Sequence, residues 1–333
     1  MKGKIGMKIG LPRGMFYYRD YILWEAFLNK LGFDIIVSGK TSKEILDNGV
    51  KYCSGDNCLP IKVFYGHVYS LKDKVDYVLV PRYTSFYKNE YTCPQFCGLP
   101  DSAFLNLKKQ VEILEVKIHA GKWKEDTLKS LHEFSEKVGI KYKKVLEAFE
   151  TSLNQFAEKS KRGFDGCPEN KNQISDKAVA VLGHPYVIYD DYLSMELIKK
   201  LTARGIRVYT PENLPYETKR RNAYPYQGRV FWDVGLDILG SGFTYAADDN
   251  IEGIIYITPF GCGIDSFVAE FIEIKMKTQF NKPFLKITID EHTGEAGFDT
   301  RLEAFLDVLG IRRNKLRAED YEYDMRRDIK ANI

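Results

Sequence analysis

The run Ala178-Val179-Ala180-Val181-Leu182, followed at once by Gly183-His184-Pro185-Tyr186, decides how this sequence folds. An unbroken apolar run ended by glycine and proline reads as a strand buried on both faces. The spacing then predicts a helix over Tyr192–Arg204, closed by Gly205, and a second strand at Ile206-Arg207-Val208-Tyr209. Strand, helix and strand in that order make a βαβ unit, the building block of a parallel sheet wrapped by helices. The alternation continues downstream. Val230–Tyr245 is largely helical in period, Gly253–Ile257 is a strand, Ser266–Lys277 a helix, Phe284–Ile289 a strand and Thr300–Leu309 a last amphipathic helix.

The first half alternates in the same way. Lys8-Ile9-Gly10-Leu11 reads as a strand broken by Pro12-Arg13-Gly14. Tyr21–Leu31 carries Ile22, Leu23, Ala26, Phe27 and Leu31 on one helical face and stops at Gly32. Asp34–Val37 is a strand, Thr41-Ser42-Lys43-Glu44 a capping box, and Leu59–Leu71 a helix with Pro60 in its first turn. Asp76–Val80 is a buried strand that Pro81 ends, and Val111–Ile118 is another. The expected fold is α/β, with two Rossmann- or flavodoxin-like parallel-sheet domains and a helical segment that connects or covers them. Residues 1–120 form the N-terminal α/β domain and 121–175 the helical segment, with a polar linker at Gly163–Ser175. Residues 176–311 form the C-terminal α/β domain, and 312–333 a charged tail.

At 333 residues the chain is too long for one ordinary core and suits two domains. Its 49 basic and 46 acidic residues nearly cancel, which argues against a nucleic-acid-binding stripe. No run approaches the roughly 20 apolar residues of a membrane span, and the first residues lack the apolar region of a signal peptide. The expected location is therefore cytoplasmic, where the six cysteines favour metal or redox chemistry over structural disulfides.

The cysteines are Cys53, Cys58, Cys93, Cys97, Cys167 and Cys262. In an open parallel sheet, ligands bind beyond the carboxyl ends of the strands. Cys93, Cys97 and Cys262 fall there, as do the Gly183-His184-Pro185-Tyr186 turn and Asp290-Glu291-His292-Thr293-Gly294-Glu295. Cys58 stands at a helix start, where free N–H groups favour a thiolate. Cys167, in the linker, reads as a thiol outside the site. Thiolates suit zinc and iron–sulfur clusters alike. A four-thiolate zinc site on Cys53, Cys58, Cys93 and Cys97 would leave Cys262 in its glycine-flanked loop without a role. No Walker A motif or strand-following G-x-G-x-x-G is present, so neither ATP nor NAD is expected to bind.

Leu11-Pro12-Arg13-Gly14, Cys58-Leu59-Pro60-Ile61-Lys62-Val63-Phe64-Tyr65-Gly66-His67-Val68 and Tyr91-Thr92-Cys93-Pro94-Gln95-Phe96 resemble segments of acyl-CoA dehydratase activase-related proteins. These are relatives of the 2-hydroxyacyl-CoA dehydratase subunits. Gly183-His184-Pro185-Tyr186, Gly261-Cys262-Gly263 with Asp265-Ser266, and Asp290–Gly297 are similar to further family segments, in order along the chain. The resemblance implies a [4Fe-4S] cluster held by Cys58, Cys93 and Cys262. Cys53 and Cys97 depart from the family pattern, as does Ile264 where proline is usual. Those two thiols keep open a double-cubane [8Fe-9S] cluster, or a closed one suited to electron transfer. The resemblance further implies a separate ATP-dependent activase, or another low-potential electron donor, as partner. It also implies an acyl-CoA or other small-molecule substrate and a homo- or heterodimer. The expected activity is that of a reductase or dehydratase-like lyase component, a non-catalytic electron or cluster carrier being the alternative and a structural zinc protein the third. Among the residues near the expected cleft, His184, Glu291, His292 and Glu295 are candidates for proton transfer. His67 is a candidate acid or sulfide partner, equally readable as a packed histidine. Arg13 and Lys62 could meet a CoA phosphate or offset an anionic cluster, or be solvated cations.

Overall fold

The computed structural model describes residues 6–87, 89–107, 110–119, 123–161, 177–226 and 230–310. Cys167, the linker at 163–175 and the tail at 312–333 lie outside the described residues.

The first half runs β1 (Lys8–Leu11), α1 (Tyr17–Leu31), β2 (Asp34–Val37), α2 (Lys43–Lys51), α3 (Leu59–Ser70), β3 (Tyr77–Leu79), β4 (Arg82–Ser85), α4 (Pro94–Cys97), α5 (Leu99–Asn106), β5 (Ile113–Leu114) and β6 (Lys117–His119). Two long helices follow, α6 (Trp123–Val138) and α7 (Tyr142–Lys161). The second half runs β7 (Ala178–Leu182), α8 (Pro185–Ile188), α9 (Leu197–Thr202), β8 (Arg207–Tyr209), α10 (Tyr216–Ala223), α11 (Asp233–Ala246), β9 (Gly253–Pro259), α12 (Gly263–Lys275), β10 (Phe284–Ile289) and α13 (Glu295–Val308).

The first four-stranded sheet has the order β2-β1-β3-β5 and the second β8-β7-β9-β10, every pair parallel. The two orders are the same. Each sheet therefore reverses its winding at one place, between β1 and β3 in the first and between β7 and β9 in the second. That is where a doubly wound sheet opens a crevice. The fold is the expected pair of parallel-sheet α/β units.

Helices α6 and α7 cover the first half rather than bridging the two. Their Leu131, Phe134, Val138, Val145 and Phe149 join the core of Phe27, Trp24 and Leu114. α3 is the element both halves share. Its Ile61, Phe64 and Val68 face the first core, while Leu59 and Val63 join the second with Val181, Ile257 and Ile289. A helix apolar all round is one packed all round. Close approach of α2 fixes its position: a Cβ at Gly66 would lie 1.8 Å from the Ile45 carbonyl oxygen.

Several local expectations change. The strand expected over Val111–Ile118 divides into β5 and β6, which serve different sheets. The Asp76–Val80 strand does end before Pro81, as β3, but beyond the proline the backbone pairs again, as β4 with β6 in a separate sheet. The helix expected from Tyr192 begins only at Leu197, because the Asp190 carboxylate takes the N–H groups of Tyr192 and Leu193 at 3.0 and 3.1 Å. That local bond competes with the helical ladder, and Met195 and Glu196 turn left-handed before α9 starts. The cap of α2 is Ser42, which accepts from the Ile45 N–H. Thr41 is thereby free for a different contact.

Candidate functional site

Four chemically active side chains occupy the same local position, the residue just before a helix. Cys58 precedes α3, Cys93 precedes α4, His184 precedes α8 and Cys262 precedes α12. None spends its side chain on capping. Proline in the first turn (Pro60, Pro94, Pro185) starts three of these helices without losing a needed donor. The cap backbone is extended at Cys58, His184 and Cys262.

The thiols of both halves meet. The backbone of Gly261 lies against Cys58, so that a Cβ there would be 3.6 Å from the Cys58 Cα. Burial pushes the Cys58 thiol up to about 12, and the charges of Cys262, Cys93 and Asp265 act in the same direction. Burial also raises Cys93, with Cys262 adding to it and the Gln95 and Phe96 N–H groups and His184 opposing. The Ile61 N–H opposes the rise at Cys58, as a helix start should. It does not win: desolvation outweighs it, and the thiolate expected from the helix start alone is not the favoured form of this buried sulfur.

His184 is buried beside Cys262. Its Nε2 lies 3.5 Å from the Cys262 Sγ and 3.1 Å from an Asp265 carboxylate oxygen. Burial works against a charge on His184, but Asp265 and Cys262 outweigh it and hold the imidazole well above its ordinary range. Asp265 is itself fixed, accepting from the Tyr256 hydroxyl at 2.8 Å and the Thr258 hydroxyl at 3.0 Å. The Tyr186 ring stacks on the imidazole at 4.8 Å and 7°. The Nδ1 of His184 is buried with no partner. Ligand atoms of His184, Cys262 and Asp265 fall within 4.8 Å of one another, the one such group of three among the described residues. Gly183 makes the turn before His184 at φ 151°, where a Cβ would meet the Ile257 carbonyl oxygen at 2.5 Å.

The remaining candidates sit at varying removes. Lys62, buried on α3, pairs with Glu291 at 2.7 Å, and Cys53 feels both of their charges. Burial raises the Cys53 thiol. Cys97 ends α4 half-buried, its carbonyl accepting from Arg82 at 2.6 Å. His292 is exposed. Glu295 is exposed at the start of α13 and pairs with Lys200 at 2.7 Å, as does Asp299. His67 lies apart from the thiols: its Nδ1 is 3.0 Å from the Ser38 hydroxyl and its Nε2 2.9 Å from that of Thr41. Sequence reasoning did not single out Tyr186, Asp265 or Tyr256 as site residues. Tyr186 and Asp265 stand inside the family-like segments, two and three residues past His184 and Cys262 in a first helical turn, whereas Tyr256 lies within a strand and has no local signal.

Fold and site together define an α/β protein of two like-ordered parallel sheets with cysteines from both halves gathered at the end of the second. Residues 8–214 match the family described as CoA enzyme activase uncharacterised domain, and the chain belongs to that family. This agrees with the resemblance to acyl-CoA dehydratase activase-related proteins. The match spans Cys58, Cys93 and His184 and ends before Cys262. No curated protein matches the chain. Among the described residues, no helix is long and apolar enough to cross a membrane.

Proposed function

We propose that this chain is an iron–sulfur component of a CoA-thioester enzyme system, with Cys58, Cys93 and Cys262 holding the cluster. One observation carries the reading. Three thiols at helix starts, contributed by both halves, come within reach of one another's charge, with the Gly261 backbone lying against Cys58. Three converging soft donors suit an iron–sulfur cluster. The cost of burying thiolates at Cys58 and Cys93 is what a cationic centre offsets. The alternative zinc site on Cys53, Cys58, Cys93 and Cys97 has less support, because it leaves Cys262, whose neighbour Gly261 lies against Cys58, without a role.

When bound, the cluster supplies a one-electron carrier of low potential. The chain's own residues position and shield it. Asp265 fixes the imidazole of His184, which turns Nε2 toward the Cys262 sulfur. Tyr186 backs that imidazole; burial raises its hydroxyl well above the ordinary range, and the charges of Cys262, Cys58 and Cys93 add to the rise. The electron donor in this reading is an ATP-driven activase, and the acceptor a CoA thioester or another small molecule. Cys53 and Cys97 are the thiols a double-cubane cluster would recruit.

Anaerobic purification tests the proposal by iron and acid-labile sulfide assay with EPR. The expected result is a brown protein with about three to eight irons per chain. A colourless protein with stoichiometric zinc would sink it. A non-catalytic electron carrier is the second reading, favoured by the two further half-buried thiols, Cys53 and Cys97, which would leave a cluster closed to substrate. An exogenous ligand that shifts the EPR signal of the reduced cluster supports the enzyme component; no response across several ligands supports the carrier.

A further inference from the structure

The first sheet ends in a second polar cluster. Arg13 stands two residues past the end of β1, the position His184 holds past the end of β7 in a sheet of the same strand order. Its backbone N–H donates to the Ser38 hydroxyl at 2.8 Å, in the turn after β2. Ser38 also meets Nδ1 of His67, whose Nε2 meets Thr41. Thr41 donates to Asp190 of the second half, and the Tyr18 hydroxyl donates to the same carboxylate at 2.8 Å. Asp190 is completed by the N–H groups of Tyr192 and Leu193.

The Arg13 guanidinium is the member left incomplete. It stacks over the Tyr17 ring at 5.3 Å, and its Nε is buried with no acceptor. Arg19, Arg82, Arg204 and Arg220 each meet a carboxylate, but among the described residues Arg13 meets none. A guanidinium keeps its proton and cannot lose its donors. Stacking occupies its face and leaves its edge, the fork that fits a planar or tetrahedral oxyanion. The turn beyond a switch-point strand is also where doubly wound sheets hold anionic ligands.

We infer that Arg13 completes an oxyanion site at the end of the first sheet, taking the carboxylate or phosphate group of a ligand. His67 and Cys58 lie nine residues apart on the same segment, about 13 Å at the helical rise. The Ser38–His67–Thr41 cluster is thus set along α3 from Cys58, and the oxyanion site does not depend on the cluster reading.

The test titrates the protein as purified with inorganic phosphate and, separately, with acetate at constant ionic strength, followed by two-dimensional NMR or calorimetry. Saturable binding of at least one anion is expected, and the two arms tell phosphate from carboxylate. Arg13→Gln should weaken that binding about tenfold or more. Lys40→Gln, an exposed charge nearby, should change it less than about twofold. No saturable binding of either anion to the wild-type protein would overturn the site whatever the variants do. Equal weakening by the two variants would reduce it to general attraction and overturn it as well. If Arg13→Gln does not fold, Arg13→Lys, which keeps the charge and loses the fork, should still bind more weakly than wild type, and unchanged affinity there counts against the site.

Discussion

The ammonium of Lys62 lies 2.7 Å from a carboxylate oxygen of Glu291, joining the shared helix α3 to the loop after β10. Lys62 is buried, so this cation has been taken from water and given one carboxylate. Lys62 in turn holds the Glu291 carboxyl below its ordinary range.

Glu291→Gln should therefore destabilise the fold by about 1–3 kcal/mol, because it leaves a buried charge without its counterion. Chemical denaturation measures this. Lys62→Met in the same chain should recover most of the loss, since removing both partners removes the unpaired charge. Full additivity of the two substitutions would show that the pair is not coupled.

Two buried groups should bend stability with pH in opposite directions. Burial raises Asp233 from 3.8 to about 7, with Arg19 opposing and Asp237 and Glu90 adding. Its folded state holds the proton more tightly than the unfolded chain, so stability falls as pH rises from about 4 to about 7. Asp233→Asn should remove that decline. Burial lowers His67 from 6.5 to about 3, with Arg13 adding. Here the unfolded chain takes the proton first, so stability falls as pH drops below about 6.5 toward 3. His67→Gln should flatten that side. Denaturation midpoints of the three proteins across this range check both slopes.

Iron content should sort the cysteines. Cys58→Ser, Cys93→Ser and Cys262→Ser should each reduce iron per chain to less than about half of wild type in anaerobic preparations, with far-UV circular dichroism kept. Retained iron in Cys262→Ser would remove that residue from the proposed ligand set. Cys53→Ser separates a single cubane from a larger cluster: unchanged iron supports the former, a loss of about half the latter.

Gly183→Ala should disturb the His184 turn. At φ 151° the added Cβ would press on the Ile257 carbonyl. A loss of about 1–3 kcal/mol is expected. Gly294→Ser, at the exposed N-cap of α13 where a Cβ has open space, should cost much less. Thermal denaturation compares them.

The sequence by itself determined the two α/β halves, because unbroken apolar strands and glycine-stopped helices are local patterns that packing did not need to overrule. It also placed cysteines and histidines at strand ends and helix starts, since proline and glycine mark those turns directly. It did not determine that α6 and α7 belong to the first core, or that the Tyr192 helix starts late. Those outcomes rest on Phe27, Phe134 and Phe149 meeting across the chain, and on Asp190 taking backbone donors the helix would have used. Only the tertiary structure decided which chemistry-bearing residues share a site. It brought Cys58, Cys93 and Cys262 within electrostatic reach and set His184 against Asp265. It sent His67 to Thr41 and Glu295 to Lys200. It also set burial against the helix start at Cys58, raising the free thiol where the Ile61 N–H alone would lower it. Burial is a sum over neighbours from every part of the chain, and no local stretch of sequence contains it.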